Sequence, residues 1–228
     1  EVFMIDIVSA TRLSESDFWK ISPLGISLRR LEHDKRLVAH ITFDNRRGLP
    51  NIYNERILAG DSSDMLVFIH DDVWINDGFF ADRVIEGLRN YDVIGVAGNR
   101  RRVPHQPAWL FDTNFTRDEA YLTGSVSHGK HPFGHITFYG AVPADCELLD
   151  GLFLSANTAA LKEHEVFFDP RFDFHFYDMD FCRRARQSEL RLGTCPICLT
   201  HQSGGVFGSQ KVVAKICSVV LLYVGLLQ

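Results

Sequence analysis

The sequence predicts an α/β fold, a single domain whose mostly parallel, mixed central sheet is flanked by helices. Three observations point to it. Short β-branched apolar runs alternate four times with stretches of helical periodicity. Two of those runs, Met65–Ile69 and Val93–Ala97, are almost unbrokenly apolar, the pattern of strands buried on both faces. The first ends abruptly in His70-Asp71-Asp72, which places charged groups at a strand's carboxyl end, where open α/β sheets bind ligands. With 228 residues, 46% of them hydrophobic and 23% charged, the chain can bury one core and is neither disordered, collagenous nor coiled coil.

In order, residues Phe3–Val8 read as a buried parallel strand. Ser14 with Asp17 three residues on is an N-cap, Phe18 opens an apolar helical face, Pro23 interrupts it, and the helix resumes to about Leu31. Leu37–Phe43 is the second strand, closed by the loop Asp44-Asn45-Arg46-Arg47-Gly48. Pro50 starts a helix with Ile52, Tyr53, Ile57 and Leu58 on one face, and Gly60 can end it. Strand Met65–Ile69, a helix marked by Phe80, Val84 and Leu88, and a strand Val93–Ala97 closed by Gly98-Asn99 follow. From Arg100 to Asp145 the rhythm is lost, and its histidines (His128, His131, His135) and Arg100–Arg102 are expected on a mobile surface. A strand at Leu148–Leu154, a short helix near Asn157–His164, a helix Asp178–Leu190 and a strand Arg191–Leu199 reaching His201 complete the domain. Residues 1–205 form the domain in this reading, and 206–228 form an apolar C-terminal segment, either a docking helix or the start of an extension. Its longest apolar run, Ile216–Leu227, would span about 18 Å as a helix, short of a bilayer core of about 30 Å.

A formal charge of −5 offers no global positive field, so nucleic acid is not an expected partner and a phosphate ligand needs local help, such as a metal. The five cysteines are an odd number in a chain too long to need stapling. They favour reduced thiols and a cytoplasmic setting, and no leader pattern is seen after Glu1.

Two acidic clusters can carry chemistry. The carboxylates of His70-Asp71-Asp72 suit Mg²⁺ or Mn²⁺, although two acids after a strand are also ordinary loop residues. In Asp178-Met-Asp180-Phe-Cys-Arg-Arg184, Asp180 lies one turn from Arg184 and can hold the helix while Asp178 faces outward as a base; acids also simply favour helix N-termini. His201, followed by Gln202, can complete a metal site, or Cys195 and Cys198 can take it into a zinc site.

The ordered set Phe43-Asp-Asn45, Gly48-Leu-Pro-Asn-Ile-Tyr-Asn54, Phe68-Ile-His-Asp-Asp72, Leu149-Asp-Gly151 and His175-Phe-Tyr-Asp-Met-Asp180 resembles nucleotide-sugar glycosyltransferases of the family 2 type, with the GT-A fold. It looks closest to a bacterial branch whose third strand ends in His-x-Asp. The resemblance implies Asp72 as metal ligand for Mn²⁺ or Mg²⁺, joined by His201, with His70, where many relatives have Asp, as a further candidate. It implies nucleotide-sugar contacts by Thr11, Arg12, Asp44, Asn45, Asn54 and Asp71, and places Asp150 and Gly151 on the acceptor side. Asp178 matches the base, with Asp180 and Arg184 in support and Tyr177 replacing a Glu. The implied activity is inverting transfer from a nucleoside-diphosphate sugar to a glycan or lipid-linked acceptor, in surface polysaccharide synthesis, with peripheral contact at the inner membrane face. A metal-dependent nucleotide-sugar hydrolase and a non-catalytic or zinc-stabilised binding module are the alternatives.

Overall fold

The computed structural model describes residues 2–202. The apolar segment 206–228 and the domain boundary at 205 lie outside the described residues. A mixed sheet of seven strands runs through the protein in the order β2-β1-β3-β11-β5-β12-β9. Its first half is β1 (Ile5–Ala10), β2 (Leu37–Thr42) and β3 (Met65–Ile69), paired in parallel. The helices between them follow the sequence signals. The Ser14 side chain accepts a hydrogen bond from the Asp17 backbone N–H and opens α1 (Glu15–Ile21), and Pro23 ends that helix and begins α2 (Pro23–Arg30). Helix α3 (Leu49–Leu58) returns the chain to β3.

Beyond β3 the architecture departs from expectation in several places, among them the strand expected at Leu148–Leu154, which is split between the two sheets. After His70–Asp72 the chain forms a short strand, β4 (Val73–Ile75), before α4 (Phe80–Asn90). The run read as one strand at 93–97 is two: β5 (Val93–Gly95) stays in the seven-stranded sheet, and β6 (Ala97–Asn99) leaves it for a second sheet. Arg100–Asp145 is not a mobile surface throughout. It holds β7 (Leu122–His128) and β8 (His135–Gly140), an antiparallel hairpin, and β9 (Ala144–Cys146). Asp118 accepts hydrogen bonds from Arg101 and Asn99, and the Arg101 guanidinium lies 4.0 Å from the centre of the Tyr121 ring. Gly124 takes φ +97° where β7 crosses β6, and a Cβ there would collide with the Val96 carbonyl.

The remaining elements are β10 (Leu148–Leu149), β11 (Phe153–Asn157), α5 (Thr158–Glu163), α6 (Tyr177–Gln187), β12 (Leu192–Thr194) and β13 (Leu199–His201). The strand expected over 191–201 is thus broken at Cys195–Cys198, and its halves join different sheets. In the large sheet β11 runs antiparallel between β3 and β5, and β12 is parallel to β5 and antiparallel to β9. The second sheet has the order β10-β6-β7-β13-β4, with β8 on β7. A continuous core fills the space around the sheets; Tyr53, Phe68, Phe168 and Phe181 are fully buried in it, and Phe168 stacks on Phe181 at 4.1 Å. No helix among the described residues is long and apolar enough to cross a membrane.

Candidate active site

The strand ends bring the sequence-predicted residues together. Strand β3 delivers His70, Asp71 and Asp72, and β13 runs antiparallel to β4 with His201 opposite Val73, so the imidazole arrives beside Asp72. His201 Nε2 lies 3.2 Å from Asp72 Oδ2. His70, Asp72 and His201 offer ligand atoms that all fall within 4.8 Å of one another. Two imidazoles and a carboxylate make a donor set that fits Mn²⁺ better than Mg²⁺, which prefers oxygen and retained water. The cysteines take no part in this group, and Cys195 is buried while Cys198 is exposed, so the zinc alternative finds no support among the described residues.

The electrostatics of these groups differ sharply. Burial pushes the His70 imidazole down to about 4, which keeps it neutral with a lone pair available. Burial also works against charge on His201, but the hydrogen-bonded Asp72 carboxylate outweighs it and raises that pKa. Asp71 is raised by burial, against the hydrogen bond it receives from Thr11.

Across the same cavity, of about 500 Å³, stand Asp150 and Asp178. Helix α6 begins after Phe176, which takes φ 65°, a left-handed conformation that costs a bulky side chain about 1–3 kcal/mol. Asp178 in its first turn accepts hydrogen bonds from the Gly151 N–H at 3.1 Å and the Met179 N–H at 2.9 Å. Burial, reinforced by the nearby Asp150 carboxylate, nevertheless raises its pKa to about 6. Asp150 is itself raised by burial. A half-buried carboxylate with a pKa near neutrality is suited to general-base work.

Asp180 stands apart from Asp178 as the helix spacing predicts. It is 4% exposed and bonded to Arg183 at 2.8 Å and Arg184 at 2.6 Å, and Arg184 reaches on to Asp169 at 2.7 Å. Neither Asp180 nor Arg184 lines the cavity.

A second cavity of about 840 Å³ opens beside the first and shares Asp71, Asp72 and Phe174 with it. Thr11, Arg12 and Asn45 line it. Asn45 also closes its own loop, accepting from the Arg47 N–H and donating to the Arg47 carbonyl. Two expected contacts are not brought in. Asp44 is exposed at the loop, with φ 48°, and lines neither cavity. Asn54 is a clamp on the backbone, donating to the Phe168 carbonyl and accepting from the Phe168 N–H, because its place on α3 faces the interior and not the cavities. Several lining residues carried no assigned role: Arg46 and Phe174 neighbour recognisable motifs, whereas Trp109, Arg117, His128 and Tyr139 come from the segment that shows no periodicity.

No curated protein sequence matches the chain. Among solved structures, GalNAc-T7 with UDP, GalNAc and Mn²⁺ aligns at 9% identity and a TM-score of 0.52, covering 96% of this chain and 49% of that one. The mannosyltransferase PcManGT from Pyrobaculum calidifontis, in complex with GDP-Man and Mn²⁺, aligns at 10% identity and a TM-score of 0.50, covering 91% and 59%. The chain thus spans about half of the first and 59% of the second, and the likeness is one of fold, the GT-A type. The family described as "Glycosyltransferase like family" matches residues 26–203, most of the chain and all but one of the cavity-forming strands. With that match and that fold, the chain belongs to the glycosyltransferase-like family.

Proposed function

We propose that the protein transfers a sugar from a nucleoside-diphosphate sugar to an acceptor hydroxyl with inversion at the anomeric carbon, and that the acceptor is a glycan or lipid-linked saccharide. The observation that carries this reading is the placement of Asp178, a carboxylate with a pKa of about 6, across one cavity from the His70, Asp72 and His201 cluster. Both solved structures of this fold named above hold a nucleotide or nucleotide sugar together with Mn²⁺.

In this mechanism the cavity lined by Thr11, Arg12 and Asn45 takes the nucleoside end of the donor, and Asp72, His201 and His70 would hold the cation. A bound Mn²⁺ would supply charge to stabilise the departing diphosphate. Asp178 removes the proton from the acceptor hydroxyl as its oxygen attacks the anomeric carbon from the face opposite the leaving group, and no covalent sugar intermediate forms. The Gly151 N–H keeps the Asp178 carboxylate aimed into the cavity, and Asp150 raises its basicity. Asp180 and Arg184 hold the first turn of α6 and with it the base.

A panel of nucleotide sugars screened with Mn²⁺ by thermal shift identifies the donor, because a bound ligand raises the melting temperature by mass action. Product analysis then decides the reaction. Transfer to an added saccharide with an inverted linkage is expected; release of free sugar at the same rate with or without acceptor would make the protein a hydrolase, and binding without turnover would make it a binding module.

A further inference from the structure

The geometry points to Tyr177 as a positioning residue that fixes the ring of His70 in one tautomer and turns its Nδ1 lone pair toward the cation. Tyr177 is 2% exposed, and its hydroxyl meets the Gly151 carbonyl, His70 Nε2 and the Tyr53 hydroxyl, which can donate to its oxygen. The Tyr177 hydroxyl donates to the Gly151 carbonyl at 2.8 Å, and His70 Nε2 approaches it at 2.8 Å. A carbonyl oxygen only accepts, so the one phenolic proton belongs to the Gly151 bond. The His70 contact must then be an Nε2–H donating to the phenolic oxygen, which leaves Nδ1 unprotonated.

The rest of the surroundings hold the same ring. The Phe174 ring stacks on His70 at 5.5 Å, and the His70 backbone N–H donates to the Leu152 carbonyl. Gly151 ties this arrangement to the base, since its carbonyl receives the Tyr177 hydroxyl while its N–H donates to Asp178. His70 and Tyr177 are also the two positions at which the chain departs from the acidic pattern that the family resemblance implies, and they touch each other. Two acids at these positions would repel; a histidine and a tyrosine form one directed hydrogen bond instead. A partner on the far ring nitrogen is the usual means by which a protein sets the tautomer and orientation of a metal-binding imidazole, and losing it typically lowers affinity 10–100-fold.

The inference rests on the reading of His70, Asp72 and His201 as a cation site. Its test uses Mn²⁺ alone, titrated into the full chain and followed by the electron paramagnetic resonance of free Mn²⁺, with ¹⁵N imidazole spectra recorded on the metal-free protein. Asp72→Ala should abolish binding, and Tyr177→Phe should weaken it about tenfold or more with the fold retained by circular dichroism. The wild-type His70 spectrum should show the Nε2–H tautomer, and the Tyr177→Phe spectrum a mixture. Unchanged Mn²⁺ affinity in Tyr177→Phe, with binding lost in Asp72→Ala, overturns the positioning role and leaves the cation site standing. Unchanged affinity in Asp72→Ala overturns the cation site and the role of Tyr177 with it. Should Tyr177→Phe fail to fold, the wild-type spectrum decides, and an Nδ1–H tautomer there overturns the inference.

Discussion

Replacing Asp178 with Asn separates the proposed chemistry from the architecture, because the same carboxylate makes opposite demands on the two. An aspartate that titrates near 3.8 in the unfolded chain and about 6 in the folded one holds its proton more tightly when folded. Stability therefore falls as pH rises from about 4 to about 6, and the fully ionised group costs the fold about 3 kcal/mol at pH 7.5 and about half of that at pH 5. Asparagine does not titrate and escapes this penalty. It has one acceptor oxygen where the carboxylate uses two, so the Gly151 or the Met179 N–H loses its partner at a cost of about 1–2 kcal/mol. That cost is the same at every pH. The stability difference between variant and wild type should consequently shift in favour of the variant by about 1 kcal/mol from pH 5 to pH 7.5, once solvent reaching the group through the cavity is allowed for. In melting temperature this is about 2–4 °C. Turnover should fall by roughly 10² or more, and wild-type kcat/KM should rise with pH through an apparent pKa near 6, since the base works only when deprotonated. Differential scanning calorimetry at both pH values and a transfer assay on the same preparations supply the numbers. A stability difference that does not move with pH, or turnover retained within about tenfold, would refute the assignment of Asp178 as a buried base.

Asp72→Ala should remove the dependence of donor binding on divalent cation, so that EDTA, which weakens wild-type binding, has no further effect in calorimetry. Asp180→Asn should lower stability by about 2 kcal/mol, because the carboxylate that joins Arg183 and Arg184 is buried, and activity should fall with it; loss of activity with no change in melting temperature would mean that Asp180 acts directly in the reaction. Asp44→Asn tests the nucleoside assignment without disturbing the left-handed backbone at that position, which Asn tolerates. Unchanged binding of the free nucleoside diphosphate is expected, since Asp44 lines neither cavity, and a clear loss of affinity would return Asp44 to the site. At Gly151 a Cβ would lie 2.6 Å from the Tyr177 hydroxyl and 2.9 Å from the Asp178 Cβ, so Gly151→Ala should cost about 1–3 kcal/mol and displace both groups, lowering turnover; wild-type turnover in that variant would show that their spacing does not matter.

Local chemistry made half of the molecule legible in the sequence. The Ser14 cap, the Pro23 break, Met65–Ile69 and the amphipathic helix after Phe80 each depend on residues within one or two turns of each other, and the structure has them where the sequence places them. The second sheet could not be read in the same way. Val93–Asn99 is one apolar run whether it stays in a single sheet or bends between two, and the bend after Gly95 is decided by what Ala97–Asn99 finds on β7 and β10. The hairpin β7–β8 escapes notice because β8 is largely exposed and carries no buried alternation. At the site, the two acidic clusters announce themselves as motifs, but the meeting of Asp72 with His201 depends on β13 pairing with β4, a contact between distant parts of the chain. Asn54 misleads for the complementary reason. A polar residue inside a motif is equally able to clamp a backbone segment, and only the position of Phe168 tells which it does.

The charge of the site bears on the apparent conflict between an acidic protein and the anionic donor proposed for it. The net charge of −5 belongs to the chain as a whole, and at 0.15 M salt charges more than about 8 Å away are largely screened. Inside the larger cavity the local balance is different. Arg12, Arg46 and Arg47 line it together with Asp71, Asp72 and Asp173; Arg47 is held by Glu55, and Arg12 and Arg46 are exposed. Asp71 and Asp72 line both cavities, so a cation held by Asp72, His70 and His201 would add positive charge where the two meet. In the proposed complex a diphosphate at that boundary would meet the cation and the arginines of the cavity lining at short range, where the distant negative charges are screened. A long polyanion such as nucleic acid gains nothing comparable, because only the phosphates that fit the cavity find this field. On this proposal donor affinity should depend more steeply on the cation than on ionic strength: the cation would be held by partly buried ligands, whereas Arg12 and Arg46 are open to solvent and screened by it.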